Sequence, residues 1–380
     1  MGIGQLKIMN SRRKFIYDIS KGIAFISLTN CGISCKTPRE SAFIDRLQPA
    51  PVGGGFEMEN YWVWGSSVIK GEDGRYHMFA SRWAKDIGFG KWVTNSEIVR
   101  AVSDTPVGPY EFQEVALPMR GKEYFDGLVT HNPRIIKYRE QYLLYYMGTS
   151  YDFEIPQTSE DVWADGRAQT AWMNKRIGLA YSNSVKGPWR RMDKPILLPR
   201  PGKWDATITS NPAPAVNKNT GEILLIYKSS TDGLIPPLLL GASKSGNMEG
   251  PYLRISEDPI FNFDTSETNE NDVEDPYVWW AGDHYELIMK DRFGHICGER
   301  GGGIHALSKD GVNWELAPSP YAYSKHILWD NGDMTHQNHF ERPFLLVEDG
   351  KPTHLFAATG LGPKEWDFEK TWNMVIPLKS

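Results

Sequence analysis

Several protein classes are set aside by what this chain has little of. Only three cysteines occur in 380 residues. Two of them, Cys31 and Cys35, lie within the first 35, so no internal disulfide framework is available. Basic charge is not in excess either: 42 Lys and Arg against 47 Asp and Glu give a net charge of -5. With no Lys/Arg cluster interleaved with aromatics, this argues against nucleic acid as a partner. No apolar run is long enough to span a bilayer, and no segment of any length after residue 36 carries a helical period. Glycine, proline and aromatics are plentiful instead, at 36 Gly, 25 Pro, 14 Trp and 17 Tyr, in a chain large enough to bury a substantial core.

Residues 1–35 have the layout of an export signal. Arg12 and Arg13 precede Phe15 and a short apolar stretch, in the manner of a twin-arginine signal. "SLTNC" or "CGISC" would serve as a lipoprotein cleavage box, although Asn30 before Cys31 is atypical. The expectation is an exported protein, periplasmic or an outer-membrane lipoprotein, that meets a membrane only through a lipid anchor. Residues 36–55 read as a linker or ring-closing segment, and 56–380 as one catalytic domain.

That domain repeats. "VTHNPRIIK", "ITSNPAPAV", "DVEDPYVWW" and "HFERPFLLV" share one opening, with "VWGSSVIKG" as a relative lacking proline. Taking Ser66 as the proline equivalent, the key positions are 66, 133, 212, 276 and 343, spaced 64 to 79 residues apart. Each opening is followed by a second strand-like run entered through a tight turn, as a hairpin requires. Four are followed by a third, such as "RAVSDTPVGPY" or "LAYSNSVKGPW". Five such units predict an all-β, five-bladed β-propeller. A pair of β-sandwiches would leave the five equivalent openings unexplained.

In a propeller the first strand of each blade lines the axis, so the openings converge. Just before the proline equivalent stand Gly65, Asn132, Asn211, Asp275 and Arg342; one residue earlier stand Trp64, His131, Ser210, Glu274 and Glu341. Two glutamates in one pocket meet the requirement for glycoside hydrolysis, in which one carboxylic acid protonates the leaving oxygen and a carboxylate activates water or attacks carbon. Trp64 and Tyr277 are candidate platforms for sugar faces. Lys228, Lys290 and Arg342 would favour a substrate with carboxylate or sulfate groups, unless Arg342 pairs with a glutamate. His131, His336 and His339 are candidate acids or bases, and their spacing lacks a recognisable zinc pattern.

These openings resemble the furanosidase-type propeller glycoside hydrolases, family 43 and relatives such as family 117. In family 43 the general acid is a Glu in a Glu-Gly-Pro-aromatic opening of the fourth blade, which Glu274-Asp275-Pro276-Tyr277 matches with Asp275 in place of Gly. The first-blade base position is here Gly65-Ser66-Ser67, and the third-blade Asp is Asn211. The resemblance implies Glu274 as acid, leaving the base to Glu341 or to Asp126 or Asp205 upstream of two openings. It also implies inverting chemistry, and an axial cation such as calcium in some members; no cofactor is required. Long connections at 111–128, 151–175 and 253–271 would close one end of the funnel and favour exo action. The expected function is release of a terminal sugar from plant or algal oligosaccharides. A non-catalytic glycan-binding propeller and a sugar lyase using His131 are the alternatives.

Overall fold

Residues 142–147, YLLYYM, are apolar at every position, a pattern a strand needs only when both of its faces are covered. The structure is a computed structural model that describes residues 42–231, 238–261 and 273–379. In it Leu143 and Tyr145 pack against Leu225 and Tyr227 of the next blade, while Leu144 and Tyr146 pack against Phe79 and Ile98 of the previous one. The alternation continues around the molecule. Leu224 and Ile226 face Leu287 and Met289, Ile288 faces Leu355, and Phe356 faces Met78, so five inter-blade cores close a circle. Each side chain fully buried there contributes about 1.5–3 kcal/mol.

The blades are antiparallel sheets in chain order. They begin with Tyr61–Lys70, Val129–Tyr138, Ser210–Val216, Val273–Trp280 and His339–Glu348, and each of these first strands packs against the first strands of both neighbouring blades. The first four blades have four strands and the fifth has three, ending in Lys370–Pro377. The predicted five-bladed propeller is therefore the observed fold. The segment before the first blade pairs with that last strand: Phe56 and Asn373 exchange both backbone hydrogen bonds at 2.9 Å, and the Gln48 N–H donates to the Pro377 carbonyl at 2.9 Å. Two short helices, Trp92–Asn95 and Arg167–Met173, depart from the helix-free expectation. Both sit in connections between second and third strands. The export-like segment with Cys31 and Cys35, and part of the 253–271 connection, lie outside the described residues.

The repeated openings have a common backbone. Gly65, Asn132, Asn211, Asp275 and Arg342 all have positive φ, from 48° to 57°, and in every blade the hairpin register breaks at or opposite this residue. Each is a β-bulge with its residue in the left-handed region, which Gly, Asn and Asp adopt readily and Arg seldom does. In a regular strand, successive side chains point to opposite faces. The bulge removes that constraint, so His131 and Asn132, Glu274 and Asp275, and Glu341 and Arg342 reach the axial cavity as consecutive pairs.

Candidate active site

At the bulged end of the axis lie two adjoining cavities of about 240 and 210 Å³, which share Glu274, Lys290, Glu341 and Trp366 as a common wall. The floor of the larger is made by the bulge residues. Asn132 Nδ2 donates to Asn211 Oδ1 at 3.2 Å, Asn211 Nδ2 to Asp275 Oδ1 at 2.7 Å, and Arg342 Nη1 to the same Asp275 oxygen at 2.8 Å. Gly65 completes the circle because a Cβ there would meet Asn132 Oδ1 at 3.0 Å. Arg134 lies buried beside this ring and binds the carbonyls of Ser66 and Pro343 at 3.1 and 2.9 Å, tying blades one and five together. Asn132 Oδ1 and Arg342 Nε and Nη2 are buried without a partner among the described residues. Buried polar groups are seldom left so unless a ligand or water completes them.

Above the floor runs a ladder of alternating charge. Lys228 Nζ donates to Glu274 at 2.5 Å, Lys290 Nζ lies 3.3 Å from Glu274 and 2.8 Å from Glu341, and His339 Nδ1 is 3.2 Å from Glu341. The rungs follow from register, since Lys290 stands directly across the hairpin from Glu274. Burial works against charge on Glu274, but Lys228, then Lys290 and Arg292, outweigh it and hold the carboxyl well below the usual range. Glu341 is buried too, and Lys290 together with the His339 hydrogen bond brings it down to about 2. Burial disfavours the Lys290 cation, yet Glu341 and Glu274 raise its pKa above that of an ordinary lysine.

A general acid must carry its proton near the working pH, and the surrounding cations favour the ionised form of Glu274. Lys290 Nζ bridges the two carboxylates, 3.3 Å from Glu274 and 2.8 Å from Glu341. Of the cations expected to select an acidic substrate, Lys228 and Lys290 contact the glutamates, and Arg342 contacts Asp275 through Nη1 alone.

Asp126 and Asp205 are not at the cavity. Asp126 is fully buried and bound by Arg120, Arg191 and the Tyr146 hydroxyl; Asp205 is bound in the same way by Arg200, Arg254 and Tyr227. This repeated cage saturates both carboxylates and makes them latches beneath the rim. Tyr277 is likewise displaced, packing on Trp279 and Phe344 along a different cavity, toward the far end of the first strands. Trp64, His131, Asn132, Asn211, Asp275, Arg342, Lys228 and Lys290 all line the larger cavity as expected, whereas His339 lines the smaller one. The floor does not fit a calcium-like ion. Such an ion needs six or more oxygen ligands, and the only carboxylate of the ring already carries Arg342.

His131 bonds through Nδ1 to the Ser96 hydroxyl at 2.7 Å. Burial, and then the nearby Arg342, Lys175 and Lys228 charges, hold its pKa well below the ordinary value, which makes it a weak base for a lyase.

Sequence reasoning missed most of the wall. Trp83, Phe89, Trp92, Trp172, Lys175 and Trp366 all line the larger cavity. Lys175 Nζ lies 3.8 Å from the Trp172 ring, and burial, with the Lys228 charge adding to it, pulls its pKa well below the usual lysine value. Trp366, 51% exposed, packs at a tilt on His339 with ring centroids 3.9 Å apart. Most of these residues come from connections outside the repeat, so periodicity carried no signal for them.

Comparison with solved structures agrees with this fold. A family 117 glycoside hydrolase from the marine bacterium Zobellia galactanivorans superposes with a TM-score of 0.58 at 16% identity, covering 88% of this chain and 89% of that one. A thermostable family 43 glycoside hydrolase gives 0.55 at 13% identity over 84% and 93%. The Bacillus subtilis arabinanase gives 0.51 at 13% identity over 83% and 97%. No family model and no curated protein matches the chain in sequence. Identities this low establish shared architecture, which does not by itself carry activity.

Proposed function

We propose that this chain is a glycoside hydrolase that removes a terminal sugar from an oligosaccharide, with the charged ladder as its catalytic centre. The single observation that carries the reading is the placement of two glutamates and a histidine between two adjoining cavities, one of them walled by tryptophans. The aromatic chamber suits the apolar face of a sugar ring, and the unpartnered Asn132 and Arg342 atoms on its floor suit ring hydroxyls. Its structural neighbours in families 117 and 43 are glycoside hydrolases, which supports carbohydrate as the substrate class. The aromatic chamber resting on a closed polar floor favours exo action.

In this reading Glu274 is the carboxylate that takes the proton of the attacking water or attacks the anomeric carbon itself. His339, oriented by Glu341, delivers a proton to the departing oxygen as the glycosidic bond breaks. Leaving-group dependence tests the assignment. Glu274→Gln should lower kcat by about 10²–10⁴-fold on natural oligosaccharides and aryl glycosides alike, whereas His339→Asn should spare aryl glycosides, whose leaving group needs little protonation. The second reading, a non-catalytic glycan-binding propeller, draws on the absence of Asp from the first-blade opening. It requires binding without products from any substrate, and binding that persists in Glu274→Gln.

A further inference from the structure

Outside the axial site, one cluster among the described residues brings together side chains with the chemistry of a metal centre. His326 and His336 stand directly opposite each other on the small hairpin His326–Leu328 and Met334–His336, which links blade four to blade five. Their ring centroids are 4.6 Å apart. The carboxylate of Glu299, from the connection between the second and third strands of blade four, completes a triangle in which one ligand atom from each residue lies within 4.8 Å of the others.

We propose that Glu299, His326 and His336 form a binding site for a zinc-class divalent cation. Two imidazoles and one carboxylate suit Zn²⁺ or its first-row neighbours, and water can fill a fourth position. The carboxylate is already oriented, as ligating carboxylates usually are: the Tyr321 hydroxyl donates to one oxygen and the Lys325 backbone N–H to the other at 2.9 Å. Both imidazoles are exposed, so small side-chain rotations bring the three groups to tetrahedral spacing at little cost. A cation would join the two facing histidines to the Glu299 carboxylate beside them.

The location gives the site a consequence. Arg300 and Gly301, beside Glu299, and Asn338 and His339, just beyond His336, line the smaller axial cavity. A bound cation would clip these two connections together and hold that chamber's wall. It would act on stability and substrate affinity, at a distance from the ladder itself.

The test is calorimetric titration of EDTA-treated full chain, lacking any polyhistidine tag, with Zn²⁺, alongside Co²⁺ absorption to report ligand geometry. The expected result is saturable binding, the intense visible bands of tetrahedral Co²⁺, and affinity at least about 10-fold weaker in His326→Gln and again in His336→Gln. Thermal stability should rise with Zn²⁺ in the wild type and not in the double variant. The control is Cys297→Ser, because this free thiol lies beside Glu299. No saturable binding, binding unchanged in the double histidine variant, or loss of binding in Cys297→Ser alone would each overturn the proposal.

Discussion

At the scale of single residues, the site is governed by how its carboxylates are neutralised. Glu341 has its pKa depressed from 4.5 to about 2 in the folded chain. A group depressed on folding stabilises the native state above its unfolded value and loses that contribution as pH falls through the folded one. Unfolding free energy should therefore decline between about pH 4.5 and 2 as Glu341 takes up its proton. In Glu341→Gln that decline should be shallower, as a denaturation series across this range would show. Asp126 and Asp205 predict the opposite pairing of effects. Asp205→Asn strands Arg200 and Arg254 and should cost about 3–5 kcal/mol of stability, while any surviving folded protein keeps the activity of the wild type. Glu274 and Glu341 were legible in the sequence as a pair, because both occupy the repeated opening. Their protonation was not, since it depends on Lys228 and Lys290, which reach them across strands and blades.

At the scale of elements, the bulge is the device that makes the site. Its sequence signature, a short polar residue before proline, was readable three times over, and the chemistry of Asn and Asp there is explained first by backbone conformation. Arg342 is the exception. An arginine held at φ 56° opposes local preference, and its guanidinium on Asp275 is the compensating interaction. Gly65 tests the geometry from the other side: Gly65→Ala adds a Cβ at positive φ against Asn132 and Arg342. It should destabilise by about 1–2 kcal/mol and weaken substrate affinity by disturbing the floor, both measurable in one preparation by denaturation and steady-state kinetics.

At the scale of the molecule, five blades and their order were legible because each buries both faces of its middle strands and so repeats its pattern. The aromatic wall was not, because Phe89, Trp92 and Trp172 sit on insertions that obey no repeat. Closure depends on a short segment before the first blade. Phe56 is buried in the core between blades five and one and pairs with Asn373, so Phe56→Ala should cost about 3–5 kcal/mol and lower the thermal midpoint.

The whole fold delivers two glutamates and a histidine to one axial mouth, and product analysis tests their catalytic role most directly. Wild type, Glu274→Gln and His339→Asn would be incubated with plant and algal oligosaccharides and with aryl glycosides. The account predicts a single released monosaccharide from the wild type, none from Glu274→Gln on either kind of substrate, and recovery on aryl glycosides for His339→Asn. Hydrolysis that persists in Glu274→Gln, or recovers there when the leaving group is good, would contradict it.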